Sequence, residues 1–190
     1  MESIKHNILI SNFSIIGYTA MTEIIHVDFV NYLFSGQKRI VVGEEWHKNA
    51  NSSTFFLCDG NPEILTEICK QYKDHTIISL YPISNLSFSM MNINTMHKSI
   101  YLKRYLENLR IICIENNNKI VLFNHTYNHT FSGGISQLHI SEYAMIMYVK
   151  DNMQMVSEIK NRNGSYNSNI NLSPFLNRLT REKKLKRILK

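Results

Sequence analysis

ILISNFSIIGYT, spanning Ile8 to Thr19, is the stretch of sequence that decides the fold. Its apolar start, Ile8-Leu9-Ile10, predicts a strand, and the segment from Asn12 to Thr19 predicts a loop. Met21 to Leu33 then places apolar residues at largely helical spacing. A strand, a loop and a helix in this order are typical of the first unit of a parallel α/β sheet.

The same alternation continues along the chain. Strands are predicted at Arg39–Val42, Thr54–Cys58, Thr76–Leu80 and Lys119–Phe123, and helices at Pro62–Tyr72, with Asn61 as its cap, and His97–Asn116. Two final strands, Tyr143–Val149 and Met153–Ile159, bracket a short turn and predict a hairpin. The pattern predicts an α/β fold with a mainly parallel sheet, flanking helices and an antiparallel edge hairpin.

Size and composition limit the class of protein. The chain has 190 residues and 44% hydrophobic content, enough for one sizeable core and too little for two ordinary domains. No apolar run reaches the roughly 20 residues of a membrane-spanning helix, and the N-terminus lacks the order of a signal peptide. We therefore expect a soluble, intracellular protein without a membrane partner.

Metal-binding patterns are weak. The three cysteines, Cys58, Cys69 and Cys113, are far apart and suggest buried thiols rather than a zinc site or a disulfide framework. His125 and His129 lie without a nearby cysteine or acidic partner. We expect no metal and no cofactor.

The positive charge is concentrated at the C-terminus. The formal net charge is +6, and the segment from residue 178 onward accounts for all of it. Its basic residues are Arg178, Arg181, Lys183, Lys184, Lys186, Arg187 and Lys190, against Glu182 alone. A solvated helix, a helix that docks on a partner and an arm that binds nucleic acid all fit this basic tail. The Asn-rich stretch Asn161–Asn171 predicts an exposed linker, which divides the chain into a domain at 1–164 and a flexible linker with the basic tail at 165–190.

Asn12 to Thr19 resembles the phosphate-binding loop G-x-x-x-x-G-K-[ST]. Gly17 and Thr19 match the second glycine and the hydroxyl residue, whereas Asn12 replaces the first glycine and Tyr18 the lysine. Such a loop needs glycine to wrap backbone N–H groups around phosphates and a lysine to neutralise them. The resemblance therefore implies a degenerate nucleotide site.

Two other positions, which carry acidic residues in P-loop ATPases, also indicate a degenerate nucleotide site. The predicted strand Thr76–Leu80 ends in Leu80 and Tyr81, where ATPases of this group place a magnesium-directed aspartate. Glu44 or Glu45 would correspond to a further carboxylate, and we interpret both as solvated loop acids. We therefore expect a pseudo-ATPase rather than an enzyme.

The C-terminal half resembles the RecA, RadA and DnaB-helicase group. The resemblance rests on Ser132-Gly133-Gly134, Gln137-Leu138, Ser141-Glu142 and a hairpin that ends in Lys160-Asn161-Arg162-Asn163-Gly164. In that group a Lys-x-Arg pair reaches a neighbour's ATP, which makes Lys160 and Arg162 a candidate finger acting in trans. The plain alternative is that these are two solvated basic residues closing a hairpin.

In the same group the loop before the hairpin lies near DNA. Here that loop contains rings that could stack on bases but no lysine or arginine for phosphates, so weak or absent DNA contact is an open alternative. The candidate residues are His125, Tyr127, His129, Phe131, Gly133 and Gly134.

Two classes of function remain. The resemblance implies a single RecA-like domain that acts as an inactive accessory subunit of a DNA recombination, repair or replication assembly, like a non-catalytic recombinase paralogue. Its expected partner is another RecA-like subunit in a hetero-oligomer, with DNA contact mainly through the basic tail. The alternative is an interaction scaffold outside DNA metabolism, similar to the RecA-like Elongator subunits of tRNA modification.

Overall fold

The computed structural model describes residues 1–19, 22, 26–34, 37–49, 54–86, 95–128, 130–132, 136–162, 164 and 168–188. The helices are α1 (Glu2–Ile10), α2 (His26–Leu33), α3 (Pro62–Gln71), α4 (Thr95–Glu115), α5 (Ser136–Ile140) and α6 (Ser173–Ile188). The strands are β1 (Phe13–Tyr18), β2 (Arg39–Gly43), β3 (Thr54–Leu57), β4 (Thr76–Ser79), β5 (Lys119–Tyr127), β6 (Thr130–Phe131), β7 (Tyr143–Lys150), β8 (Met153–Asn161) and β9 (Ile170–Asn171). None of these described helices is long and apolar enough to cross a membrane.

The strands form one sheet in the order β3-β2-β4-β5-β1-β7-β8-β9, with β6 paired to β5. The strands from β3 to β7 in this order are mutually parallel, whereas β8, β9 and β6 pair in antiparallel fashion. The predicted mainly parallel sheet with an antiparallel edge is confirmed. Below, the side of the sheet where the parallel strands end is called the carboxyl edge, and the side where they begin is called the amino edge.

Helices cover both faces of the sheet because its central strands are apolar on both sides. Ile15 of β1 belongs to a core shared with α3, α4 and α5, and the next residue, Ile16, belongs to a core shared with α1, α2 and α6. Successive side chains of a strand point to opposite faces, so one strand serves both cores. The sheet therefore separates two helical layers.

The start of α3 matches its prediction in detail. Pro62 occupies the first helical turn, where its missing N–H costs nothing. Asn61 is the N-cap, and its side-chain oxygen accepts the backbone N–H of Glu63 at 2.9 Å.

The N-terminal prediction is wrong. Ile8, Leu9 and Ile10 belong to α1, and the first strand begins only at Phe13. α1 buries Ile4, Asn7 and Ile8, and the latter two follow Ile4 by three and four residues, which places them beside it on one helical face. A short apolar run fits a helix and a strand equally well, and here the helical spacing upstream decides the outcome.

The C-terminal segment also differs from the linker expected there. Ile170 and Asn171 form β9, which pairs with Val156 and Met155 of β8. Leu172 is fully buried, and Ser173 then begins α6. The apolar residues Ile170 and Leu172 outweigh the polar composition around them, so the segment extends the sheet instead of leaving it.

Candidate functional site

The expected phosphate loop is part of the central strand. Phe13 to Tyr18 form β1, every residue of which is buried, with β5 on one side and β7 on the other. Asn12 precedes this strand at the amino edge, and its backbone N–H donates to Oε2 of Glu142 at 2.7 Å. The prediction of a loop from Asn12 to Thr19 is therefore wrong, because a strand's backbone N–H groups are committed to its neighbours.

Gly17 is required by packing. A Cβ at this position would lie 2.5 Å from Cγ2 of Thr126, 2.7 Å from Cγ2 of Ile146 and 2.8 Å from Cε1 of Phe131. Real side chains do not approach so closely, so only glycine fits between β5 and β7 at this level. Gly17 therefore has a role in the sheet, not in wrapping a phosphate.

The connection from β1 to α2 occupies the place that a phosphate loop would take at the carboxyl edge. Residues 19–25 read TAMTEII, without glycine or lysine and with one acidic residue, Glu23. Within its described part, Thr22 is buried, and its hydroxyl accepts from the Thr19 backbone N–H at 3.1 Å and donates to the Thr19 carbonyl at 3.0 Å. The Thr22 hydroxyl therefore stabilises the turn by binding both the N–H and the carbonyl of Thr19.

Tyr18 lies at the end of β1 and is fully buried. Its ring meets the ring of His125 edge-on at 4.8 Å and lies 6.3 Å from the ring of Phe123. These aromatic contacts hold the Tyr18 side chain in the interior of the protein.

The end of β4 is apolar as well. Leu80 is completely buried and donates its backbone N–H to the carbonyl of Val42 at 2.8 Å. The hydroxyl of Ser79 donates to the carbonyl of Tyr81 at 3.2 Å. Residues 80–86, LYPISNL, contain no carboxylate of their own.

The two glutamates after β2 lie beside a buried histidine. The backbone N–H of Glu44 donates to Nδ1 of His47 at 3.0 Å, and the exposed Glu45 pairs with Lys48 at 3.4 Å. Burial lowers the pKa of His47 to about 4, against an opposing effect of Glu44. The imidazole is therefore neutral at physiological pH and helps to order the turn.

The segment predicted as a nucleic-acid loop contains a hairpin. β5 runs on to Tyr127 and pairs with β6, so that Thr126 lies opposite Phe131. Tyr127 is 78% exposed, whereas Phe131 is buried and His125 packs on Tyr18. Of the three described rings, Tyr127 is thus the one available for stacking. His129, Gly133 and Gly134 lie outside the described residues.

A buried amide network, which the sequence did not reveal, holds the base of this hairpin. Asn124 is fully buried and donates to the carbonyl of Ser132 and to Oε1 of Gln137, both at 2.8 Å. Its own oxygen accepts the backbone N–H of Ser84 at 3.0 Å. The network ties β5 to α5 and to the segment after β4, because buried amides are stable only when bonded.

Lys160 and Arg162 lie at the amino edge. β8 runs antiparallel to β7, so Asn161 is paired with Tyr143, the first residue of β7. Both cations bind the end of α5: the ammonium of Lys160 donates to the carbonyls of Leu138 and His139, and Nη2 of Arg162 donates to that of His139 at 2.9 Å. These contacts complement the negative end of the helix.

The basic tail forms most of α6. Phe175 packs edge-on against Tyr32 of α2 at 4.2 Å, and Leu176 packs on the same core. Arg178 and Arg181 are exposed. Lys183, Lys184, Lys186 and Arg187 belong to α6, but their side chains lie outside the described part of the chain, as does Lys190. The start of α6 therefore docks on the core, and the basic tail follows from Arg178 onward.

Within the described residues, no group of three or more histidine, cysteine, aspartate or glutamate side chains is placed to hold a metal ion. Cys58, Cys69 and Cys113 are buried free thiols.

Neither a family model nor a curated protein matches the chain. Among solved structures, the chain is similar to a DnaB-like replicative helicase, described with its interactions with primase, at a TM-score of 0.63 and 8% sequence identity. The match covers 84% of this chain and 54% of the helicase chain, so the protein spans about half the length of that neighbour. At this identity the likeness shows the fold alone. The fold is that of a RecA-like α/β domain, as the sequence predicted.

Proposed function

We propose that this RecA-like domain does not hydrolyse ATP itself and acts as an accessory subunit of a DNA recombination, repair or replication assembly. In this proposal it joins a partner of the same fold and offers Lys160 and Arg162 to the partner's nucleotide. The observation that carries the proposal is an asymmetry between the two edges of the sheet. At the carboxyl edge, residues 19–25 contain no glycine or lysine and residues 80–86 no carboxylate, whereas the amino edge presents a Lys-x-Arg pair.

The sequence at the carboxyl edge supports the proposal that the protein does not hydrolyse ATP. A phosphate loop at the start of α2 would need glycines and a lysine, and residues 19–25 contain neither. Leu80, buried in the core, stands where a magnesium-directed acid would be required. Binding and hydrolysis therefore lack their residues at two separate strand ends.

The position of the pair supports a role in trans. Lys160 and Arg162 lie at the amino edge, so the sheet itself separates them from the carboxyl edge of the same domain. Any nucleotide they serve must therefore belong to another chain. Each cation keeps donors beyond its contacts with α5, because an ammonium has three N–H donors and a guanidinium five. In related phosphoryl-transfer systems an arginine supplied in trans raises turnover by orders of magnitude.

DNA contact is proposed through α6. The segment from Arg178 to Lys190, most of which belongs to α6, carries the net positive charge of the chain, and the exposed Arg178 and Arg181 lie beyond the part that docks on the core. Neutralising phosphates with such residues releases counterions and gives affinity without sequence preference. Tyr127, which is highly exposed, adds one ring for stacking at the carboxyl edge.

The test is the ATPase of the assembled complex. The tagged protein is purified from its source with its partners, the partners are identified by mass spectrometry, and the complex is rebuilt with variants. We expect Arg162→Ala to leave assembly intact and to depress the partner's ATPase strongly. The matched control is Arg104→Ala, an exposed arginine of α4 that lies beside α3, which should have no effect.

Full ATPase in a complex that contains the double Lys160→Ala, Arg162→Ala variant would refute the role in trans. The two cations would then serve only to hold the end of α5, and the interaction scaffold outside DNA metabolism would become the better explanation. Tight, magnesium-dependent ATP binding by the isolated chain would refute the absence of a nucleotide site.

A further inference from the structure

A third cation lies close to the Lys-x-Arg pair. Arg110 projects from α4 toward the start of β7, and its Nη2 is 3.5 Å from Oε1 of Glu142. Its side chain is 35% exposed, and its Nε is buried without a hydrogen-bond partner among the described residues. Neither the helical spacing of residues in α4 nor the Lys-x-Arg pattern indicates from the sequence that Arg110 lies near this pair.

Glu142 holds Arg110 from a fixed position. Its other carboxylate oxygen accepts the backbone N–H of Asn12 at 2.7 Å. Its backbone N–H donates to the carbonyl of Phe13 at 2.8 Å, and its carbonyl accepts the backbone N–H of Arg162 at 3.0 Å. The residue is therefore tied to β1 and to the end of β8, and it connects Arg110 with the backbone of the pair.

A β-bulge directs Lys160 to the same side of the sheet. Met145 pairs with Glu158 but Ala144 pairs with Lys160, so β8 contains one extra residue, Ile159. Strict alternation would place Lys160 on the face of Glu158, whose carboxylate bonds to Asn7 of α1. The bulge turns Lys160 instead toward α5 on the opposite face.

The three cations affect one another. Burial lowers the pKa of Lys160, the positive charges of Arg162 and Arg110 lower it further, and Glu142 acts in the opposite direction. Repulsion of this kind is relieved when an anion enters between the cations.

The charges at this site do not balance. Among the described residues, three cations face a single carboxylate, that of Glu142, and Glu158, the one acid of β8, is engaged with α1 and Tyr143. An excess of two positive charges, with planar guanidinium forks and an ammonium, suits a compact phosphoryl oxyanion. An extended nucleic-acid backbone would require a longer basic track.

We propose that Arg110, Lys160 and Arg162 form one phosphoryl-binding site at the amino edge, in which Arg110 is held by Glu142. The ligand is the terminal phosphate of a nucleotide presented by the partner, so this assignment of the ligand rests on the proposed function. The site itself belongs to this chain and can be tested without the partner.

Inorganic tripolyphosphate is the probe, titrated into the full chain at low ionic strength by calorimetry. We expect saturable binding that Arg110→Ala, Lys160→Ala and Arg162→Ala each weaken by about tenfold or more, because each removes a charge-assisted hydrogen bond. Arg110→Lys, which keeps the charge but loses the fork, should fall between wild type and Arg110→Ala. Arg104→Ala, on the same helix, should bind within about twofold of wild type. Circular dichroism confirms that each variant is folded.

The outcomes separate this inference from the proposed function. Wild-type affinity in Arg110→Ala together with weak binding in Arg162→Ala would remove Arg110 from the site and leave the proposed function standing. Loss of tripolyphosphate binding in all three variants, with unchanged ATPase in the complex containing Arg162→Ala, would support the site and refute the proposed function. No saturable binding by the wild-type chain, or equal weakening by Arg104→Ala, would overturn the inference.

Discussion

Gly17→Ala distinguishes a buried strand from a surface loop at Asn12–Thr19. The added Cβ would lie 2.5 Å from Thr126, 2.7 Å from Ile146 and 2.8 Å from Phe131, all below any normal contact. The first two neighbours are β-branched and therefore stiff at χ1, so neither can turn away easily. Overpacking of this kind costs about 1–3 kcal/mol. Alanine also lowers the entropy of the unfolded chain, which returns about 0.4–1 kcal/mol.

We therefore expect Gly17→Ala to lower the free energy of unfolding by about 1–2 kcal/mol, the difference between these two effects. With a urea m-value of about 2 kcal/mol per molar, the midpoint should fall by roughly 0.5–1 M. The control is Gly164→Ala, where the nearest atom to the new Cβ is Nδ2 of Asn161 at 4.0 Å. That variant should stay within about 0.5 kcal/mol of wild type. Equal urea midpoints for the two variants would refute the enclosed position of Gly17 and favour a surface loop at Asn12–Thr19.

Four further predictions follow from other parts of the chain. The isolated protein should show no saturable, magnesium-dependent ATP binding at micromolar concentration; binding that Thr19→Ala abolishes would contradict this. Asn61→Ala should destabilise the fold by about 0.5–2 kcal/mol in urea denaturation, because it removes the bond to the Glu63 N–H. Binding to DNA should be weak in sequence preference, fall steeply with salt and be largely lost when residues 178–190 are removed, as measured by fluorescence anisotropy; unchanged binding after the truncation would direct attention to Tyr127. Burial lowers the pKa of His47 to about 4, so between about pH 4 and 6.5 this imidazole binds a proton in the unfolded chain but not in the folded chain. The stability from His47 is then complete above about pH 6.5 and is lost as the pH falls toward 4. Urea midpoints of wild type should fall more steeply across that window than those of His47→Gln, and parallel curves would count against the buried neutral ring.

The fold class was predictable because its signals are local. Pro62 after Asn61 marks a helix start from two adjacent residues, and the apolar segments around Asp151-Asn152 mark a hairpin from one short turn. Both Asp151 and Asn152 adopt positive φ, at 50° and 58°, which asparagine and aspartate tolerate better than other side chains.

The amino-edge site was not predictable, because its contacts join distant parts of the chain. Arg110 and Glu142 are separated by 32 residues, and Asn12 and Glu142 by 130. On α4 alone, Arg110 is one basic residue among several on a helical surface. Its relation to Lys160 depends on the bulge in β8, for which the sequence gives no local sign.

The start of the chain shows why the strand was misplaced and what that error changes. A central parallel strand is buried on both faces, so FSIIGY carries no alternation and resembles any other apolar run. The correction moves the position of a phosphate loop from Asn12–Thr19 to residues 19–25. The expectation that ATP is not hydrolysed survives the correction, since the first window has Tyr18 in place of the lysine and the second has neither lysine nor glycine.

The position of Lys160 and Arg162 does not depend on that correction at all, because it follows from the pairing of β7 with β8. The two halves of the proposed function are therefore independent. If the isolated chain does not bind ATP, that result does not test whether Lys160 and Arg162 act on a neighbour's nucleotide. If Arg162→Ala leaves the partner's ATPase unchanged, that result does not test the chain's own carboxyl edge. The dependence of tripolyphosphate binding on Arg110 is a third measurement, and it tests the amino edge before any partner is known. If that binding depends on Arg110 and not on Arg104, the chain has a phosphate-binding site at the amino edge, opposite to residues 19–25, which contain no glycine or lysine, and residues 80–86, which contain no carboxylate.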